Sequence, residues 1–150
     1  MKIQTPARKF HVPVLKQAII TGVLAPHSMD VTVNNLQDIS FFGVATDASN
    51  HGATKLFPVV IQYFDYQNGG IQSKIIDLQA AKNETSETVF SLLTNVLNEK
   101  HILSKCVAFC GDNCNTNFGG IKRKGCNNVF SKLKSTVSSN LIGVGYSKTR

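Results

Sequence analysis

Two stretches of this chain share one design, and that design restricts the folds open to it more than anything else in the sequence. Phe41 to Ser49, FFGVATDAS, is an apolar run that ends in a single carboxylate. Phe41, Phe42, Val44 and Ala45 bury well and Asp47 does not, so the run reads as a buried strand with one charge at its tip. Cys106 to Asp112, CVAFCGD, repeats the pattern: Val107 to Phe109 lead into Asp112 and then into the polar, glycine-containing loop NCNTNFGG. Two strand-end aspartates on one sheet form a hard oxygen donor set of the kind that magnesium takes.

The segments around these strands supply the rest of a sheet. SNHGATK is a glycine-bearing turn, and LFPVVIQYFDY is a long β-branched and aromatic strand with Pro58 near its start, where a proline is tolerated. Asn68-Gly69 is a turn signal, and IQSKIIDLQ after it alternates Ile71, Ser73, Ile75 and Asp77 with Gln72, Lys74, Ile76 and Leu78. Three antiparallel strands follow from this. The period then changes to about 3.6 residues, with Val89, Leu92, Leu93, Val96 and Leu97 as one stripe, a Thr85 cap, and Glu84 and Glu87 in the first turn. After the second aspartate strand, Gly119 and Gly120 supply positive dihedrals for the loop. KRKGCNNVFSKLKSTV is a basic helix with Val129, Phe130, Leu133 and Val137 inward, and LIGVGY is a last strand.

Upstream, Met1 to Phe10 reads as a frayed lead-in. A helical period begins at Pro13, with Val14, Leu15, Ala18, Ile19 and Val23 on one face, and Pro26 is expected to end it by Leu24. A second short helix is expected from Ser28, with Met29, Val33 and Leu36 as its apolar side and Ser28 or Asp30 as its cap. The expected organisation is a helical lead-in over residues 1–38 and one sheet domain over 39–150.

The 150 residues suffice for one core, and 42 % hydrophobic with 17 % charged residues describes a globular chain. No run approaches the roughly 20 apolar residues that cross a bilayer, and MKIQTPARKF lacks the apolar segment of a signal peptide. The expectation is an intracellular protein, neither secreted nor in a membrane. The net charge of +7 is local: nine basic residues face nine acidic ones up to Asp112, and seven basic residues with no acid follow it. Such a patch suits a polyanion, and a solvated tail explains it equally. Cys106, Cys110, Cys114 and Cys126 include no CxxC pair, which argues for reduced thiols over a zinc site.

Three antiparallel strands, a helix, a parallel fourth strand, a helix and a fifth strand describe an α/β protein with a mixed sheet. That order resembles the ribonuclease-H-like arrangement, in which the first and fourth strands lie side by side. Asp47 and Asp112 are then neighbours, and two carboxylates that close require a proton or a cation between them. The likeness sharpens in ATDASNHG with LFPVVIQYF, the helix opening ETSE, FCGDNCNTNFGG and NNVFSKLK. In this order, over about Val23 to Gly145 and beginning with VLAPHSM, the series resembles the catalytic core of hAT-superfamily transposases and their host-domesticated descendants. The resemblance implies a site in which three acidic residues bind two divalent ions, Mg2+ or Mn2+, for cleavage and transfer of DNA strands. By position Asp47 matches the first acid and Asp112 the second, as catalytic and metal-binding residues. It further implies DNA as the partner of a full-length, self-associating protein, and residence in the nucleus.

The chain also departs from that pattern. The family's third acid is a glutamate on a helix beyond a large helical insertion, whereas no Asp or Glu follows Asp112 here. GVGYSKTR stands where the family carries Cys-x-x-His, and the family's N-terminal zinc finger has no counterpart. The expectation is therefore an incomplete ribonuclease-H-like domain, a fragment or domesticated relative, inactive alone. The alternative is a non-enzymatic, transposase-derived module that binds nucleic acid or protein. Lys122, Arg123, Lys124, Lys132 and Lys134 are the candidate phosphate contacts, and a solvated helix face explains the same residues. Glu84 and Glu87 are the internal candidates for a third acid, although capping and dipole preferences account for both.

Overall fold

The computed structural model describes residues 12–67, 69–120 and 125–146. The lead-in expected over Met1 to Phe10, Asn68 of the expected turn, and Lys122, Arg123 and Lys124 lie outside the described residues.

Before the sheet the chain is helical without a break, as α1 (Val12–Ile19), a π-helical turn (Ile20–Leu24) and α2 (Ala25–Asp38). The expected stop at Leu24 is thus corrected, and so is the expectation of two separate short helices. Pro26 has no N–H to give the carbonyl four residues back, and its ring crowds that carbonyl. The π turn resolves both problems by widening the helix just ahead of the proline, with the Ala25 N–H donating to the Ile20 carbonyl, five residues back. Neither Ser28 nor Asp30 caps α2, whose N-cap position is Leu24 with no side-chain bond. The far end of α2 is anchored: Lys105 Nζ donates to the carbonyls of Leu36 (3.0 Å) and Gln37 (2.7 Å), placing a cation where the helix dipole is negative.

The expected mixed sheet is present, with six strands among the described residues where five were expected: β1 (Phe42–Ala45), β2 (Ser49–His51), β3 (Thr54–Asp65), β4 (Gly70–Ala81), β5 (Cys106–Asp112) and β6 (Ile142–Tyr146); the expected turn SNHGATK is corrected to β2 and the start of β3, which pair across the positive-φ Gly52. Long β3 pairs antiparallel with β4 along one edge. Its other edge is shared, by β2 opposite Thr54 to Leu56 and by β1 opposite Val60 to Gln62. Residues 46–48 therefore carry the chain from the end of β1 to the start of β2 along that edge. From β1 the sheet continues through β5 to β6 in parallel pairs. The first and fourth expected strands, β1 and β5, do lie side by side. In β4 the expected alternation breaks at a bulge, where Val59 opposes Asp77 and Val60 opposes Ile75. Ile76 is the extra residue, fully buried, and Leu78 is thereby turned to the opposite face from it.

Helices α3 (Ser86–Glu99), α4 (Asn115–Phe118) and α5 (Val129–Thr136) complete the core together with α2. The N-cap of α3 is Thr85, as expected, with its hydroxyl accepting from the Thr88 N–H at 3.2 Å. Asn128 caps α5 in the same way through the Ser131 N–H at 2.8 Å. Val89, Leu93, Val96 and Leu97 of α3 and Val129 and Leu133 of α5 bury against Phe42, Val44, Ile61 and Phe109 of the sheet.

Candidate functional site

Asp47 and Asp112 owe their position to strand register. Ala45 lies opposite Cys110 in the parallel pair of β1 and β5, and each aspartate is the second residue beyond that pair. Both line one pocket of about 120 Å3, whose wall also includes Thr46, Phe57, Glu84, Val89, Cys114 and Asn117. The two sequence-predicted acids are therefore brought together.

The loop after β5 fixes the second carboxylate. Asn117 Nδ2 donates to Asp112 Oδ1 at 2.7 Å. The same amide reaches the Asp112 main-chain carbonyl at 3.5 Å. Gly119 (φ 75°) and Gly120 (φ 77°) close the one-turn helix α4 that carries Asn117, as expected of glycines after a helix. Gly111 leaves the amide its space, because a Cβ there would stand 3.0 Å from Asn117 Nδ2. The Asn113 N–H donates to the Tyr146 carbonyl at 2.9 Å, tying the loop to β6.

Two wall residues that sequence reading passed over matter chemically. Burial first, and then the neighbouring Asp112 carboxylate, push the Cys114 thiol up, which keeps it protonated at neutral pH. Thr46 is buried, and its hydroxyl finds no hydrogen-bond partner among the described residues. A buried polar atom left in this state is uncommon, and here it belongs to the residue preceding Asp47 on the wall of the same pocket. A buried threonine gives no sequence signal, because threonine is also a common strand residue.

The two glutamates that the sequence could not separate have different surroundings, and only Glu87 lies in the first turn of α3; Glu84 precedes the Thr85 cap, which corrects its expected place in that turn. Glu84 lines the pocket, and its carboxylate accepts from Lys55 Nζ at 2.8 Å. Glu87 is not on the pocket wall; it accepts from Lys132 Nζ at 2.7 Å and so links α3 to α5. The described members of the expected phosphate-binding row are likewise engaged within the molecule, Lys132 by Glu87 and Lys134 over the Phe130 ring at 5.7 Å.

The donor chemistry of the pocket, carboxylates with a hydroxyl and a protonated thiol, suits a hard divalent cation such as Mg2+ or Mn2+. As the side chains stand, no three His, Cys, Asp or Glu among the described residues are grouped closely enough to hold one. No helix among them is long and apolar enough to cross a membrane. No protein-family model matches the chain, and no curated protein matches it.

Proposed function

We propose that Asp47 and Asp112 are two ligands of a divalent-cation site in a ribonuclease-H-like core of the hAT-transposase type, which in its complete form cleaves and joins DNA in the nucleus. One observation carries the reading: the adjacent parallel strands β1 and β5 place Asp47 and Asp112 at the same level, each two residues past the Ala45 and Cys110 pair, and both aspartates line one pocket. Two further features support it. The sheet runs β4, β3, β1, β5, β6, with an antiparallel half followed by a parallel half, which is the order the resemblance implies. Thr46, the residue before Asp47 on the same wall, has a buried hydroxyl that the packing leaves without a partner among the described residues.

Within this reading Asp47 and Asp112 would hold the ion, and Asn117 fixes the Asp112 carboxylate by donating to its Oδ1. A divalent ion, when bound, supplies Lewis-acid polarisation of a phosphodiester and offsets the charge that develops on it. Two carboxylates hold such an ion weakly, so the chain by itself is not expected to complete strand transfer. The test is incubation with supercoiled DNA and Mn2+. A slow, Mn2+-dependent nick that disappears in Asp47→Ala and in Asp112→Ala is the expected result. Salt-sensitive DNA binding with no nick, unchanged by both substitutions, would instead make the chain a non-enzymatic nucleic-acid-binding module.

A further inference from the structure

The end of the sheet away from Asp47 and Asp112 carries a cleft that the proposed cation site leaves unused. Residues 39–41 lead into β1 there and β3 runs out to Asp65 beside them, whereas Asp47 lies beyond the opposite end of β1. The cleft has two adjoining parts. One, of about 120 Å3, is lined by Asn35 and Asp38 of α2, by Asp65 at the end of β3, and by Tyr66 and Gln67 in the turn that follows. The other is an apolar notch against Phe41, Phe64 and Tyr66, and Ile39 and Tyr66 belong to both parts.

Two independent features set this cleft apart. Its aromatic side chains stand in water: Tyr66 is 76 %, Phe41 52 % and Phe64 43 % exposed, and the Phe64 and Tyr66 rings meet edge to face at 5.0 Å, forming one apolar surface. Its charge, too, is unanswered. Glu84 and Glu87 are paired with lysines at 2.8 and 2.7 Å, but among the described residues neither a cation nor a hydrogen-bond donor reaches the Asp38 carboxylate. Asp38 is the last residue of α2, where the helix dipole is negative and disfavours a carboxylate, and Lys105 already serves the carbonyls of that end. The fold therefore gains nothing from this carboxylate. Asp65 accepts from the Gln67 N–H at 2.9 Å, which fixes its carboxylate in the turn. Among the described residues no lysine or arginine lines either part of the cleft.

We infer that this cleft docks a partner protein through an arginine with a large apolar residue beside it, the guanidinium among Asp38, Asp65 and the Tyr66 ring and the apolar side chain in the notch. Charge and shape select that pair. A guanidinium spreads five N–H donors in one plane, enough for two carboxylates and the amide oxygens of Asn35 and Gln67 together, and its face stacks on a tyrosine ring. A lysine ammonium is a point charge with three donors and no such face. The inference is independent of the cation reading, because it uses none of that pocket's residues.

Titration of the nitrogen-15-labelled 150-residue chain with acetyl-arginyl-leucinamide, followed by amide NMR shifts, tests it. Saturable shifts confined to residues 35–41 and 63–67 are expected, with a Kd on the order of 1 mM. Asp38→Asn is expected to weaken binding about fivefold while holding or raising the melting temperature, so that the loss is not one of folding. The neutral acetyl-glutaminyl-leucinamide and the lysyl counterpart are both expected to bind more weakly than the arginyl peptide. No saturable shift at these residues up to about 20 mM peptide overturns the docking site. Equal binding of the neutral peptide, or unchanged binding by Asp38→Asn, reduces the cleft to an apolar patch and overturns the charged recess. Equal binding of the lysyl peptide overturns the selection of arginine.

Discussion

Across the middle of the sheet two neighbouring rows of side chains point in opposite directions. Ile61, Val44, Phe109 and Gly143 lie in register on one face, and Val60, Ala45, Cys110 and Val144 lie in register on the other. The first row meets α3, α4 and α5, and its three side chains are fully buried. In the second row no residue is buried, and Val144 is 50 % exposed. Both rows are apolar and small enough to pack, so composition does not separate them. What separates them is the helices: those that join β4 to β5 and β5 to β6 return along the same face. The difference shows that the fold draws its burial energy from one side of the sheet, and that the aspartate pocket is an extension of that side, under Val89 of α3 and beside Phe57.

The largest expected contrast between the faces is in stability. Phe109→Ala removes a fully buried ring that stacks on Phe118 at 5.4 Å, and should cost about 3–5 kcal/mol in urea unfolding. Val144→Ala, one position beyond the neighbouring strand's partner of Phe109, should cost less than about 0.5 kcal/mol. Comparable losses for the two would mean that the second face is covered in solution.

A smaller contrast is carried by two thiols of the same strand. Burial pushes the Cys106 thiol up from 9.0 to about 11, only partly offset by backbone hydrogen bonds at Ala108 and Val44; Cys110 on the open face is half-buried, and burial raises its thiol as well. For Cys106 the folded value lies above the unfolded one, so its contribution to stability is complete below pH 9 and is lost as the pH rises through 11. Two pKa units correspond to a loss on the order of 2–3 kcal/mol. Lysines and tyrosines titrate in the same window, so the measurement is the difference in slope between wild type and Cys106→Ala. The variant should lose part of the decline, and iodoacetamide at pH 8 should modify Cys110 before Cys106. Equal rates at the two thiols would place Cys106 outside the core.

How much of this arrangement was legible in the sequence depends on how local its cause is. Strand-end aspartates, the Thr85 cap, the inward residues of α5 and the positive φ of Gly119 and Gly120 are set within a few residues, and the structure has them where the sequence placed them. Pro26 signals a lost hydrogen bond without saying whether the helix ends or widens, and here it widens. The apolar stripe of Val14, Leu15, Ile19 and Val23 was correctly helical, yet all four residues are exposed, since periodicity reports a face and not what covers it. The bulge at Ile76 has no local signal in an alternating strand. At the site, Glu84 and Glu87 have the same sequence credentials as first-turn acids. Only their long-range surroundings separate them: Glu84 lines the pocket and pairs with Lys55 across 29 residues, whereas Glu87 pairs with Lys132 across 45 and links the two helices.

The smallest effect is the most direct comparison of the two faces, because it adds one methyl group to a glycine on each. A Cβ on Gly143 would meet Phe118 Cε1 and Phe130 Cε2, both at 2.9 Å, and these rings are packed on each other with centroids 5.6 Å apart. Neither ring can yield without disturbing the other or Phe109 behind them. A Cβ on Gly43 points to the open face, where its nearest neighbour is Ala108 Cβ at an ordinary 3.4 Å. Alanine in a strand is worth about 0.5–1 kcal/mol over glycine when there is room for it. Gly43→Ala should therefore hold or raise stability by up to that amount. At Gly143 the overlap costs more than the same gain, and Gly143→Ala should lower stability by about 1–2 kcal/mol net. Opposite signs in paired urea titrations would show that one face is packed to its limit while the other has space for a methyl group. A loss at Gly43 as large as that at Gly143 would instead require something seated on the open face, against Ala108.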